Sequence, residues 1–351
     1  MTPRRIAALL MPMLVIGALV FTHSWFIRTF DTAVGTVRLR VGQLSTQLGL
    51  VPEARGMMLG IYKPEVPYSL GRLGEIEQAI GKPFDILSFY QTWGDREQDE
   101  FPRALMRNVA QQGAMPMITW EPWLTAFARN RGQAGYASRT DLREISGGAY
   151  DAYIRAWARE AAIYGRVFLL RFAHEMNNPQ YPWSLQAGNR PEDFIAAWRH
   201  VWTLFQEEGA RNVVWVWSPQ GPPPDAVYPG REYVDWVGVS VFNYGVFSAD
   251  GGWHSFEYVY DPIYRAALRY ERPIMIAELG TVSLGGNRAE WYATALDRIA
   301  TRYPETRALV LFNNPVDRTL PGSVINWAID DAPDVLAVFR SHVEAGAFVE
   351  P

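Results

Sequence analysis

The chain contains no cysteine. That excludes disulfides, thiolate metal sites, a cysteine nucleophile and lipid attachment through cysteine. Histidine is almost as scarce, with five scattered residues and no His-x-x-x-His or His-Glu-x-x-His pair, so no metal constellation is expected. A Gly-x-Ser-x-Gly elbow and a Gly-rich phosphate loop are also missing, and no cofactor is expected. Nor is there an excess of positive charge: 33 Lys and Arg against 37 Asp and Glu leave a net charge of −4. Nucleic-acid binders concentrate basic residues on one face, so no nucleic acid is expected as partner and a neutral substrate is. Apolar residues at 48% and charged residues at 20% suggest neither disorder nor a polytopic membrane protein.

Aromatic residues are abundant instead, with 14 Trp, 17 Tyr and 17 Phe. Surplus Trp is a stacking surface for sugar rings, and a Trp-rich core is the alternative reading. At the amino terminus Arg4 and Arg5 precede an apolar run from Ile6 to Phe21, interrupted only by Pro12 and Gly17. This is the pattern of an export signal. No clean small-x-small cleavage site follows, so a signal peptide and an uncleaved inner-membrane anchor through residues 6–21 both stay open. Either way the body of the chain is expected outside that membrane, periplasmic or secreted. Residues 1–30 are thus read as signal or anchor, 31–55 as linker and 56–345 as one catalytic domain.

From Gly56 onward, short runs rich in β-branched and aromatic residues alternate with amphipathic stretches, the βαβα pattern of a parallel sheet. The runs are Met57 to Tyr62, Asp85 to Tyr90, Met115 to Trp120, Val167 to His174, Val213 to Ser218, Trp236 to Phe242, Ile274 to Leu279 and Ala308 to Asn313. Helices are predicted over Tyr150 to Tyr164, Pro191 to Glu208, Phe256 to Tyr270 and Arg288 to Tyr303. Gly221-Pro222-Pro223-Pro224 stands where a helix would follow the fifth run. Eight such units predict an α/β fold, a (β/α)8 TIM barrel. A doubly wound open sheet would show a Gly-rich fingerprint after the first strand, and Gly60-Ile61-Tyr62-Lys63-Pro64 is not one.

Functional groups of such a barrel sit at the carboxyl ends of its strands. The fourth run ends Arg171-Phe172-Ala173-His174-Glu175-Met176-Asn177-Asn178, and the seventh ends Ile276-Ala277-Glu278-Leu279-Gly280. A carboxylate in an otherwise apolar strand is costly and needs a partner or a function. Two carboxylates on strands four and seven face each other across the barrel mouth, the arrangement glycoside hydrolysis requires. Burial and the negative charge of Glu278 would keep Glu175 protonated as catalytic acid/base, and Arg171 would hold Glu278 ionised as nucleophile. An internal Arg and Glu network is the competing structural reading.

The strand-four motif Arg171-Phe172-Ala173-His174-Glu175-Met176-Asn177 resembles that of glycoside hydrolase family 26. The resemblance continues in order through Ile118-Thr119-Trp120-Glu121-Pro122, Trp217-Ser218-Pro219, Tyr228-Pro229-Gly230, Tyr233-Val234-Asp235-Trp236-Val237-Gly238, Pro273-Ile274-Met275-Ile276-Ala277-Glu278 and Phe312-Asn313. It implies a retaining β-glycanase, chiefly an endo-β-1,4-mannanase, with mixed-linkage β-glucanases and xylanases as further possibilities, and hence a β-mannan or β-glucan as polysaccharide partner. It also implies that His174 contacts the sugar hydroxyls beside the cleaved bond. A noncatalytic polysaccharide-binding or assembly protein and a transglycosylase in exopolysaccharide processing are the alternatives.

The chain departs from the family at the end of strand six. A Tyr that donates to the nucleophile is usual there, and the equivalent position is Phe242; Asn243, Tyr244 or a one-residue bulge are the expected substitutes. Strand eight offers Leu311 and Phe312 where a Trp platform is common. Trp93, Trp120, Trp123, Trp183 and Trp217 lie at or after strand ends and are candidates for sugar stacking, with Asn177, Phe242 and Tyr244 as further substrate contacts. Trp215 and Trp217 share one strand face, so one of them is expected in the core. Trp198 and Trp202 fall at helical spacing and are read as packing.

Overall fold

A computed structural model describes residues 56–66, 72–132, 140–320 and 322–349. The expected signal or anchor over 1–30 and the linker over 31–55 lie outside the described residues. Eight parallel strands close on themselves in chain order. They are β1 (Met58–Tyr62), β2 (Ile86–Thr92), β3 (Met115–Glu121), β4 (Phe168–Phe172), β5 (Val213–Trp217), β6 (Trp236–Asn243), β7 (Ile274–Thr281) and β8 (Thr306–Phe312). The outer ring holds α1 (Leu73–Ile80), α2 (Arg103–Gln111), α3 (Leu142–Ser146), α4 (Asp151–Tyr164), α5 (Pro191–Glu207), α6 (Phe256–Ala267), α7 (Arg288–Arg302) and α8 (Pro333–Glu344). The predicted TIM barrel is therefore the observed architecture.

Local chemistry explains where the helices begin. Pro191 opens α5, with its fixed φ already helical, and the Asp193 carboxylate accepts from the backbone N–H of Arg190 at 3.0 Å. Ser255 and Asn287 cap α6 and α7 by accepting from the N–H groups of Tyr258 at 3.2 Å and Glu290 at 3.1 Å. Between β5 and β6 only two short 3-10 turns form, Asp225–Val227 and Arg231–Tyr233, because the three prolines after Gly221 lack the donors a helix needs. Gly238 permits the close approach of β5 and β6: a Cβ there would lie 2.8 Å from Cγ1 of Val216.

Neighbouring residues of a strand point to opposite sides of the barrel wall. Even and odd positions therefore part company. Trp120 turns outward into an aromatic layer with Trp93, Trp157, Phe172 and Phe205, with ring centroids 4.6 to 5.9 Å apart, whereas Glu121 turns to the mouth. The core of the domain is this layer between strands and helices.

Two departures from the expected strands matter for the site. β4 ends at Phe172 instead of reaching His174, because Ala173 and Glu175 take φ of 42° and 49°, a conformation that leaves the sheet. The register of β6 against β7 shifts between Val239 and Ser240: Val239 stands opposite Ile276, and Ser240 opposite Glu278. This bulge aims Ser240 and Glu278 at each other.

Candidate active site

The strand ends enclose a cavity of about 620 Å³ whose wall includes Tyr62, Tyr90, Glu121, Glu175, Tyr181, Ser240, Phe242, Tyr244, Glu278 and Phe312. Each of β1, β2, β3, β6, β7 and β8 supplies at least one of these groups. Glu175 follows β4 on the strained turn. Its backbone N–H donates to the Ser218 carbonyl at 2.6 Å, and the Trp183 indole holds the preceding carbonyl, that of His174, at 2.7 Å. Bonds on both sides thus hold a left-handed conformation that costs a non-glycine residue on the order of 1 kcal/mol.

Both glutamates are nearly withdrawn from solvent. Oε2 of Glu175 accepts from Asn178 Nδ2 at 2.6 Å, and Oε1 from Ser240 Oγ at 2.9 Å. Oε1 of Glu278 accepts from Arg171 Nη2 at 2.5 Å and from the Tyr90 hydroxyl, and Oε2 from Ser240 Oγ at 3.3 Å. Since one hydroxyl lies 2.9 Å from one carboxylate and 3.3 Å from the other, the two facing oxygens are at most 6.2 Å apart.

The electrostatics separate the pair. Burial first, and the neighbouring Glu278 second, push Glu175 above the ordinary carboxylate range. Arg171 is fully buried, donates Nε to Thr119 at 2.9 Å and lies against Glu278. A buried guanidinium needs such a counter-charge, and Glu278 is the carboxylate that provides it. A third carboxylate, Glu121, has Oε2 on the Trp123 indole at 3.1 Å, and burial raises it to about 7.

Several expected contacts stand elsewhere. Trp93, Trp120 and Trp217 are fully buried outside the cavity; Trp217 packs edge-on against Tyr228 and Tyr270. Trp215 is buried with it, so both belong to the core. Their side chains sit on the outward face of the strands, where sugar has no access. Trp183 is also fully buried and instead backs Tyr181, stacked at 4.6 Å and 15°. His174 lies behind Tyr181 too: its Nε2 meets the Tyr181 hydroxyl at 2.9 Å, and burial holds the ring well below its usual pKa and neutral. Asn177 spends both ends of its amide on the backbone of Gln220, at 2.8 Å each, and ties two mouth loops together. Trp198 is buried and Trp202 half-buried on the same helix, as their spacing predicts.

The missing strand-six tyrosine has a different substitute from those expected. Phe242 and Tyr244 line the cavity and pack against Trp327 at 4.8 and 5.1 Å. Asn243 turns away to Thr281 at 3.1 Å. The phenol on Glu278 comes from Tyr90 on β2, across the barrel. The bulge does occur, and it sets Ser240 opposite the nucleophile candidate. On β8, Phe312 stacks on Tyr62 at 4.9 Å and 22°, forming an aromatic wall in place of a Trp platform.

Tyr62, Tyr90, Tyr181 and Ser240 were not singled out by the sequence. Tyr62, Tyr90 and Ser240 lie near strand ends, so that rule marks them, but the rule alone does not say which of two adjacent residues faces inward.

Comparison with known proteins bears on the family and the fold. The family model described as Glycosyl hydrolase family 26 matches residues 153–293. Endoglucanase H of Acetivibrio thermocellus is 30% identical over 317 residues, 88% of this chain and 32% of that protein. A mannan endo-1,4-beta-mannosidase of Bacillus subtilis is 25% identical over 154 residues, 42% of this chain and 39% of that protein. The chain thus spans about a third of the length of these curated relatives. Among solved structures, a family 26 beta-mannanase from Bacteroides ovatus superposes with a TM-score of 0.63 at 16% identity, covering 89% of this chain and 94% of that one, and so shares its fold. With its barrel, its strand-four and strand-seven glutamates and its profile match, the chain carries a domain of glycosyl hydrolase family 26.

Proposed function

We propose that this domain is a retaining endo-β-glycanase in which Glu278 attacks the anomeric carbon and Glu175 protonates the leaving oxygen, then activates water. The observation that carries the reading is the pair of buried carboxylates sharing one serine hydroxyl, with facing oxygens no more than 6.2 Å apart. A retaining pair stands about 5 to 5.5 Å apart, whereas an inverting pair needs roughly 6.5 to 9.5 Å to admit a water. The opposed environments fit the roles. Burial and its neighbour's charge raise Glu175 above the ordinary carboxylate range and so favour its protonated form, while Glu278 has a buried guanidinium and a phenol on one oxygen.

The substrate is a β-glucan in preference to a β-mannan. The relative aligned along most of this chain is named an endoglucanase, while the one named a mannosidase aligns along less than half. Tyr62, Tyr181, Phe242, Tyr244 and Phe312 provide the apolar faces for sugar rings, and Glu121 accepts from a hydroxyl. The basic and apolar start of the chain, Arg4 to Phe21, supports export to the periplasm or beyond, with residues 6–21 either a cleaved signal or an attachment to the inner membrane.

The test is incubation of the full chain and Glu278→Ala with lichenan, glucomannan, mannan and xylan, following new reducing ends and the anomer first released. Cleavage of lichenan with retained configuration, lost in the variant, is expected. Inverted product would overturn the mechanism, and cleavage of mannan alone would overturn the substrate.

A further inference from the structure

Ser240 holds the only side-chain oxygen in hydrogen-bond distance of both glutamates among the described residues: its Oγ is 2.9 Å from Oε1 of Glu175 and 3.3 Å from Oε2 of Glu278. A hydroxyl owns one proton and donates to one acceptor at a time. Resting on the double-displacement reading above, we propose that Ser240 is a positioning residue whose hydroxyl turns from Glu278 to Glu175 and back in each cycle, donating to whichever carboxylate bears the negative charge.

The fixed contacts around the pair say which oxygens take part. Oε1 of Glu278 is held by Arg171 and Tyr90, leaving Oε2, with its single long contact to Ser240, as the oxygen free to attack. On Glu175 the Asn178 amide settles the other choice. Its Oδ1 accepts from the Gln180 N–H at 3.1 Å, so its Nδ2 must face Glu175 and donate to Oε2. The acid proton of the resting enzyme therefore sits on Oε1, the oxygen beside Ser240.

The charge on the pair then moves without changing in total. In the first step Oε2 of Glu278 forms a bond to the anomeric carbon as the bond to the leaving oxygen breaks, and that oxygen takes the proton from Oε1 of Glu175. Glu278 is now a neutral ester and its Oε2 has lost the lone pair that faced Ser240. Oε1 of Glu175 has become an anion 2.9 Å from the same hydroxyl. In the second step water gives its proton to Oε1 as its oxygen bonds to the anomeric carbon, and Glu278 leaves as carboxylate. A single negative charge has crossed and returned, and the hydroxyl follows it by rotation about one bond. The bulge that places Ser240 opposite Glu278 makes this geometry possible.

The test uses the full chain, with Ser240→Ala and Ser240→Thr. Steady-state kinetics on the cleaved polymer are expected to show kcat lowered about ten- to hundredfold in Ser240→Ala, the loss of one hydrogen bond to a charged group, with KM nearly unchanged and Thr restoring most of the rate. The decisive readout is the titration of Glu175, followed by 13C NMR in glutamate-labelled protein, before and after trapping with 2-deoxy-2-fluoro-cellobiosyl or 2-deoxy-2-fluoro-mannobiosyl fluoride. Trapping removes the charge of Glu278 and lowers the Glu175 pKa in every variant. The fall should be smaller in Ser240→Ala than in wild type, and Thr should restore it. An equal fall in wild type and Ser240→Ala overturns the proposal and leaves the double displacement standing. A wild type that cleaves polymer but shows no mass shift on Glu278 overturns both. Should Ser240→Ala fail to fold, Ser240→Cys, similar in size but a weak donor, carries the same comparison.

Discussion

The hydroxyl of Tyr90 on β2 donates to Oε1 of Glu278 on β7, 188 positions further along the chain. Arg171 reaches the same oxygen and also donates to that hydroxyl at 3.2 Å. The three groups form a closed triangle in which guanidinium and phenol both stabilise one carboxylate oxygen. The phenol is itself buried, and burial followed by the charge of Glu278 raises it far above its usual value, so it remains a donor.

That contact replaces the strand-six tyrosine. Tyr90→Phe is expected to lower kcat about ten- to hundredfold, the cost of one hydrogen bond to a charged group, with little change in KM. Phe242→Tyr should leave kcat within about threefold, because Oε1 already has two donors and Oε2 one. Steady-state kinetics of the two variants check both, and a large gain in Phe242→Tyr would show that Tyr90 is an incomplete substitute.

On the double-displacement reading, the basic limb of activity belongs to Glu175. As the proposed general acid Glu175 must be protonated, and its raised pKa extends the active range upward in pH, so the basic limb of kcat/KM should lie above the ordinary carboxylate range. Asn178→Ala removes a donor to the ionised form and should move that limb further up. A pH profile of both proteins decides, and a limb that stays in place would detach Glu175 from it.

Glu121 predicts a pH-dependent stability. Its folded value of about 7 exceeds the ordinary glutamate value of 4.5. The fold therefore binds the proton more tightly than the unfolded chain, and the associated stability is fully present below about pH 4.5 and lost as pH rises through about 7. The whole effect is on the order of 3 kcal/mol. Urea midpoints near pH 5 and pH 8 should fall further in wild type than in Glu121→Gln, and parallel falls would contradict the assignment.

Trp120 separates core from cleft. Trp120→Ala should destabilise the fold by about 3 to 5 kcal/mol through loss of its packing against Trp93, Trp157 and Phe172. Trp120→Phe should leave KM for polysaccharide unchanged. Thermal unfolding and initial-rate kinetics test the two halves, and a several-fold rise in KM would return Trp120 to the binding surface.

The sequence by itself determined the barrel, the order of its elements and the two glutamates. Those rest on local information: alternating apolar runs and amphipathic stretches define strand and helix, and a lone acid ending an apolar strand carries its own energetic signature. Even the missing helix after β5 was legible, since prolines withhold backbone donors wherever they stand. Which strand-end residue faces the cavity was decided only in three dimensions. Trp120 and Glu121 are adjacent, and a pleated strand sends them to opposite sides of the wall; composition pointed to the tryptophan, and the mouth received the acid. The partners of Glu278 were equally hidden. Tyr90 meets it only because the barrel closes, and Ser240 only because one bulge slips the β6 and β7 register by a residue. Closure and register arise from contacts among strands far apart in the chain, so no local pattern records them.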